Sequence, residues 1–98
     1  MNKYYEFLNF ETVVNIANES ELKKFVEFCK KRGLLGTTQI EKYSFEELHQ
    51  SGGIQVISYG ELCVEHIPDK GLTIGARRGY ERYGCDIITL AQLIDDEV

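Results

Sequence analysis

The sequence predicts an α+β fold, a small and mostly antiparallel sheet with one long helix and two or three short helices packed on it. Three observations carry that prediction. The stretch ETVVNIAN, residues 11–18, is a β-branched run that stops at cap-forming residues, after which the apolar period changes from that of a strand to that of a helix. The second half breaks into short β-rich segments separated by glycine, proline and aspartate. Three short stretches open on Asn, Ser or Thr with Glu or Gln three residues later, the spacing of a capping box. All 98 residues, 1–98, are expected in one α+β domain, because a chain of this length buries one small core.

The first strand rests on Val13, Val14 and Ile16. The long helix follows: Asn18 and Glu21 have capping-box spacing, and Leu22, Phe25, Val26 and Cys29 fall at i, i+3, i+4 and i+7 on one face. Glu19 and Glu21 at its start and Lys30, Lys31 and Arg32 at its end complement the macrodipole, and Gly33 can take the left-handed conformation that stops it. LLGTTQIEKY, 34–43, carries β-formers without alternation and reads as a loop, with a short strand over 38–43 as the alternative. Ser44 and Glu47 open a short helix in which Phe45 and Leu48 share a face, ending near Gly52 and Gly53.

IQVISY, 54–59, is apolar on both faces and reads as a central strand, with a turn or bulge at Tyr59 and Gly60 before the strand ELCVEHI. IPDKGL is a turn, since proline fixes φ and Gly71 can take positive φ, so 62–74 form a hairpin. ARRGYERY fits a two-turn helix closed by Gly84, CDIITL a buried strand, and Thr89 with Gln92 caps a last turn around Leu90, Leu93 and Ile94. The helices are expected over one face of the sheet.

The totals exclude several classes. Hydrophobic residues at 43% with charged residues at 28% are ordinary globular usage, which argues against disorder. A net charge of −5 disfavours direct binding to DNA and to anionic membrane, both of which need a basic field. The opening MNKYYEFLNF lacks the basic start and apolar core of a secretory signal, so a cytoplasmic location is expected. Cys29, Cys63 and Cys85 are odd in number without a CxxC pair, and they read as reduced core thiols.

Catalytic constellations find little support. Gly71, Gly75 and Gly79 are spaced by three intervening residues each, which is neither dinucleotide fingerprint nor phosphate loop. His49 and His66 are the two histidines, and Glu65 and His66 on one strand point to opposite faces, so neither a metal site nor a cofactor is expected. His66 shares a face with Leu62 and Val64 and reads as a satisfied, half-buried histidine. Glu46, Glu47, Asp95, Asp96 and Glu97 read as helix electrostatics and solubility, or as an acidic surface that imitates nucleic-acid phosphates before a basic cleft.

Two groups remain as candidate binding residues. Tyr4, Tyr5, Phe7 and Phe10 crowd the first ten positions; they dock the N-terminus on the sheet or form a partner or self-association surface, for which a two-fold dimer is the commonest arrangement. GARRGYERYG, 75–84, holds three of the four arginines. Arg77, Arg78 and Arg82 at a short helix can meet an anion, with Tyr80 or Tyr83 stacking on a base. In the other reading Arg77 and Arg78 lie four and three residues before Glu81 and pair with it, while Tyr80 and Tyr83 turn inward on CDIITL.

GLTIGARRGYERYGCDIITLAQL resembles the ending of small, mostly uncharacterised proteins encoded by phages and prophages of Gram-positive bacteria. The matching positions are Gly75, Tyr80, Gly84, Ile87, Ile88 and Leu90, with Cys85 where an aromatic is usual, and NIANESELKKFVEFCKKRGL is similar to their entry. The resemblance implies a fold and a setting. In that setting the protein is expected to be a non-enzymatic inhibitor that binds a host protein, such as a nuclease or another defence effector, in the manner of an anti-CRISPR or similar counter-defence protein. The alternative it implies is a sponge that sequesters a phosphate-bearing nucleotide signal through the arginine cluster.

Overall fold

The computed structural model describes residues 3–51 and 61–95, the side chains of 49–51 excepted. The expected strand over 54–59, the turn at Tyr59 and Gly60, the helix stop at Gly52 and Gly53, the His49 side chain and residues 96–98 lie outside the described residues. The elements in order are α1 (Lys3–Leu8), β1 (Thr12–Asn15), α2 (Glu19–Lys31), α3 (Thr37–Glu41), α4 (Phe45–Ser51), β2 (Leu62–Ile67), β3 (Gly71–Ala76), α5 (Arg77–Arg82), β4 (Asp86–Thr89) and α6 (Leu90–Asp95). This is an α+β fold.

Local chemistry explains most of the boundaries. At α2 the Asn18 side chain accepts from the Glu21 N–H at 2.9 Å, while Glu21 Oε1 accepts from the Ala17 N–H at 3.0 Å, one residue before the cap. The helix stops where Arg32 and Gly33 donate their N–H groups to Cys29 and Lys30 carbonyls and Gly33 takes φ 67°. At α4 the capping box is reciprocal: Glu47 N–H donates to Ser44 Oγ at 3.1 Å and Ser44 N–H to Glu47 Oε1 at 3.0 Å. Thr89 and Gln92 repeat the arrangement at 2.9 and 3.1 Å before α6. Orphan amides at three helix starts are thereby satisfied by residues the sequence marks in advance.

The four strands form one mixed sheet in the order β3-β2-β1-β4. The β2–β3 and β1–β2 pairs are antiparallel, with Cys63 opposite Gly75 and Val14 opposite Val64; β4 runs parallel to β1 with Ile87 beside Val13. The β2–β3 turn has Pro68 and Asp69 at its centre, Asp69 at φ 70° and the Lys70 N–H donating to the Ile67 carbonyl at 3.0 Å. Because β3 and β4 share a direction yet occupy opposite edges, the chain must cross the sheet between them, and α5 makes that crossing.

Alternation along the strands gives the sheet two apolar faces. Val14, Leu62, Val64, Leu72 and Ile88 join Phe7 of α1, Phe25 and Cys29 of α2, Ile40 of α3, Leu48 of α4 and Leu93 of α6 in the larger core. Val13 and Cys63 face the other way, against Tyr80 of α5, with Cys85 and Ile87 half-buried beside them.

Four sequence expectations change. The stretch read as a loop or strand contains α3, because Thr37 and Ile40, three apart, both bury against the body of the protein and this burial overrides β propensity. Its entry is fixed by a close approach: a Cβ on Gly36 would lie 2.9 Å from the Leu72 nitrogen and one on Gly71 2.5 Å from the Leu35 carbonyl oxygen. The strand of CDIITL is an edge strand with Asp86 and Thr89 exposed, since no further strand among the described residues lies outside it. Helices cover both faces rather than one, α5 lying apart from the rest. The N-terminal segment, for which the sequence predicts no helix, forms α1 with Tyr4, Tyr5 and Phe7; Phe7 buries edge-on against Phe25 with ring centroids 5.9 Å apart, as the docking reading expects, and Phe10 lies beyond the helix.

Candidate functional site

α5 carries the arginine cluster. It begins at Arg77, after Ala76, and closes through Tyr83 to Gly84 at φ 76°. The Arg77 N–H donates to the Glu61 carbonyl at 2.9 Å, and its guanidinium lies between two carboxylates, Glu61 at 3.7 Å and Glu81 at 3.6 Å. Arg77 is therefore largely neutralised, as one of the two sequence readings expects. Arg78 and Arg82, one helical turn apart, are exposed.

The two tyrosines of this segment separate. Tyr80 is 7% exposed and packs its ring on Gly75, where an added Cβ would meet the Tyr80 hydroxyl at 2.6 Å and ring carbons at 3.0 Å. Its hydroxyl bonds Glu65, and burial followed by the Glu65 charge raises its pKa. Glu65 is held in turn by the Thr73 hydroxyl, which donates at 2.6 Å. Tyr80 thus anchors α5 from below and offers no ring face to a ligand. Tyr83 goes the other way: it is 85% exposed at the end of α5 beside Arg82, not turned inward on β4.

Tyr4 and Tyr5 lie across the sheet from this patch, on α1. Tyr4 sets its ring edge-on to Phe28 at 5.7 Å, and the Arg32 guanidinium stacks 3.6 Å above Phe28 and 5.6 Å from Tyr4. Tyr5 is 61% exposed. The residues singled out in the sequence therefore form two surfaces on opposite sides of the molecule, Arg78, Arg82 and Tyr83 on one and Tyr4 and Tyr5 on the other.

The thiols and the described histidine have structural surroundings. Cys29 and Cys63 are fully buried, and burial pushes each thiol up to about 12, outweighing Arg32 near the first and Arg77 near the second. Cys85 is half-buried and also raised, by burial and then by Glu65 and Asp86. Each shift moves away from the thiolate a nucleophile needs. His66 Nδ1 donates to the Leu8 carbonyl at 2.8 Å, with its ring 6.0 Å from Phe7. Among the described residues no group of three His, Cys, Asp or Glu could hold a metal ion. No described helix is long and apolar enough to cross a membrane.

Sequence reading missed one concavity, a groove of about 600 Å³ between α2 and α3. Leu22, Val26 and Ile40 floor it, and Lys23, Lys42 and Tyr43 stand among its walls. The signal available was the three-residue spacing of Thr37 and Ile40, which makes 37–41 helical and so gives α2 a facing wall. No protein family, curated protein or solved structure matches this chain.

Proposed function

We propose that this is a phage-type binding protein without enzymatic activity, which inhibits a host protein in the bacterial cytoplasm by direct contact, in counter-defence of the anti-CRISPR-like or similar kind. The observation that carries the binding surface is Tyr83, 85% exposed beside Arg82 and one face of α5. Tyr and Arg are the residues most enriched where protein interfaces concentrate their energy, and a tyrosine this far out of the core has no packing reason to be there. The phage setting and the host target rest on the resemblance carried by residues 71–93.

A nuclease or other effector with an acidic or mixed rim around an aromatic pocket fits this surface. The test is capture from bacterial lysates with the wild-type chain and two variants in parallel. A partner retained by wild type and by Tyr5→Ala, and lost with Tyr83→Ala combined with Arg82→Glu, is the expected result. Equal retention by all three, or no specific partner across several hosts with verified folded protein, overturns the reading.

The nucleotide sponge stands second. Arg78 and Arg82, on successive turns of α5, are exposed with Tyr83 next to Arg82, an arrangement able to meet a phosphate and stack a base. Against it, Arg77 is already engaged by Glu61 and Glu81, and Tyr80 is buried. Calorimetric titration with a panel of cyclic and linear nucleotides separates the two readings. Saturable binding abolished by Arg78→Glu and Arg82→Glu would replace the first reading with the second.

A further inference from the structure

The groove between α2 and α3 lies on the larger-core side of the sheet, away from α5, and belongs to neither reading above. Its floor is the outer edge of the buried core residues Leu22, Val26 and Ile40, and Tyr43, 48% exposed, adds an aromatic wall. It is an open groove whose volume of about 600 Å³ falls within the range of small-molecule sites.

The charges around it sort into used and unused. Two of the three carboxylates are ion-paired, Glu27 with Lys31 at 3.6 Å and Glu41 with Lys30 at 2.8 Å, while Glu19 Oε1 accepts from the neutral Phe45 N–H at 3.1 Å and keeps its charge. Lys23 and Lys42 make no ion pair among the described residues, and both line the groove. With Glu19 set against Lys23 and Lys42, one positive charge is in excess there, in a chain whose total is −5. Two unpaired ammonium groups over an apolar floor are complementary to an apolar body that ends in an anion.

We propose that this groove binds a small amphiphilic carboxylate, its apolar part on Leu22, Val26 and Ile40 and against Tyr43, and its head group between Lys23 and Lys42. Helix α3 is then more than a connector, since it supplies Ile40 to the floor and holds Lys42 and Tyr43 at the opening. The head-group attraction is exposed and weakens with salt, while the apolar contact does not. The ligand is selected by sign of charge: a cationic amphiphile of equal length meets Lys23 and Lys42 with repulsion.

The probe is decanoate, titrated into the methyl-labelled full chain and followed by NMR. Saturable one-to-one shifts at the methyl groups of Leu22, Val26 and Ile40 are expected, with none from decyltrimethylammonium over the same range. Lys23→Glu with Lys42→Glu should weaken decanoate binding at least tenfold. Lys23→Gln with Lys42→Gln, which leaves fewer new charges on exposed helix surface, should weaken it less and guards against misfolding of the first variant. Equal binding of the two amphiphiles, or no saturable shift up to a few millimolar decanoate, overturns the proposal. Tyr83→Ala with Arg82→Glu should leave decanoate binding unchanged, so this result stands apart from the fate of the α5 surface.

Discussion

The two faces of the sheet are built to different standards. One is covered by α1, α2, α3, α4 and α6, whose aromatic and aliphatic side chains interlock with Val14, Leu62, Val64 and Ile88. Among the described residues the other has a single six-residue helix, with Val13, Cys63 and Tyr80 as its buried contacts. Burial scales with apolar area, so the first face holds the fold together and the second contributes a small, local increment. The lesson is that α5 can carry an exposed Tyr83 and two exposed arginines because little else depends on its outer surface.

Phe25→Ala should give the largest effect. Phe25 is fully buried on the major face and packs edge-on to Phe7, and truncation should cost about 3–5 kcal/mol, enough to unfold much of the population. Denaturant unfolding checks it, and a loss below about 1 kcal/mol would mean the major face is not the stabilising one. Gly75→Ala attacks the minor face. The new methyl lands on Tyr80, which cannot swing aside without losing Glu65, so a cost of about 1–3 kcal/mol is expected. Hydrogen exchange should show the opening concentrated in α5 while α2 amides stay protected.

Alkaline pH probes both faces through one buried thiol each. Cys29 and Cys63 keep their protons in the fold up to about pH 12, whereas an ordinary thiol loses its proton near 9.0. Between those values the unfolded chain binds fewer protons than the native one, so stability falls as pH rises through that window and is fully present below it. Urea midpoints measured from neutral pH to about pH 11 should decline above about pH 9, and Cys63→Ala should remove part of the decline. A flat profile would show that the thiols are not insulated. The smallest effect has the opposite sign. Gly79, on the outer side of α5 with nothing within 4 Å of an added Cβ, should gain about 0.5–1 kcal/mol as Gly79→Ala, read as a raised Tm. Two glycines four residues apart then differ in sign because one lies under Tyr80 and the other faces solvent.

Much of this was legible in the chain. Asn18, Ser44 and Thr89 mark helix starts because a side-chain oxygen three residues from an orphan amide is a local arrangement, and local arrangements need no fold to be recognised. The helical spacing of Leu22, Phe25, Val26 and Cys29 and the turn at Pro68 and Asp69 are likewise settled within a few residues. α1 and α3 escaped because their helicity depends on what they bury against: Phe7 needs Phe25, and Ile40 needs the wall of α2. The binding candidates were legible as residue types and not as places. Nothing in the order ARRGYERY distinguishes a tyrosine that goes under the helix from one that leaves it.

The sequence by itself determined the fold class, the long helix with its caps, the β2–β3 hairpin and the net acidic charge, because each follows from spacing, composition or backbone chemistry without reference to distant contacts. Only the tertiary structure decided that β4 runs beside β1 at an edge, that α5 crosses the face opposite the other described helices, that Tyr80 is buried as an anchor while Tyr83 is exposed, and that Lys23 and Lys42 line one groove. These last are relations between segments distant in the chain. They are set by which apolar faces bury each other, and that competition is resolved only when the whole chain packs.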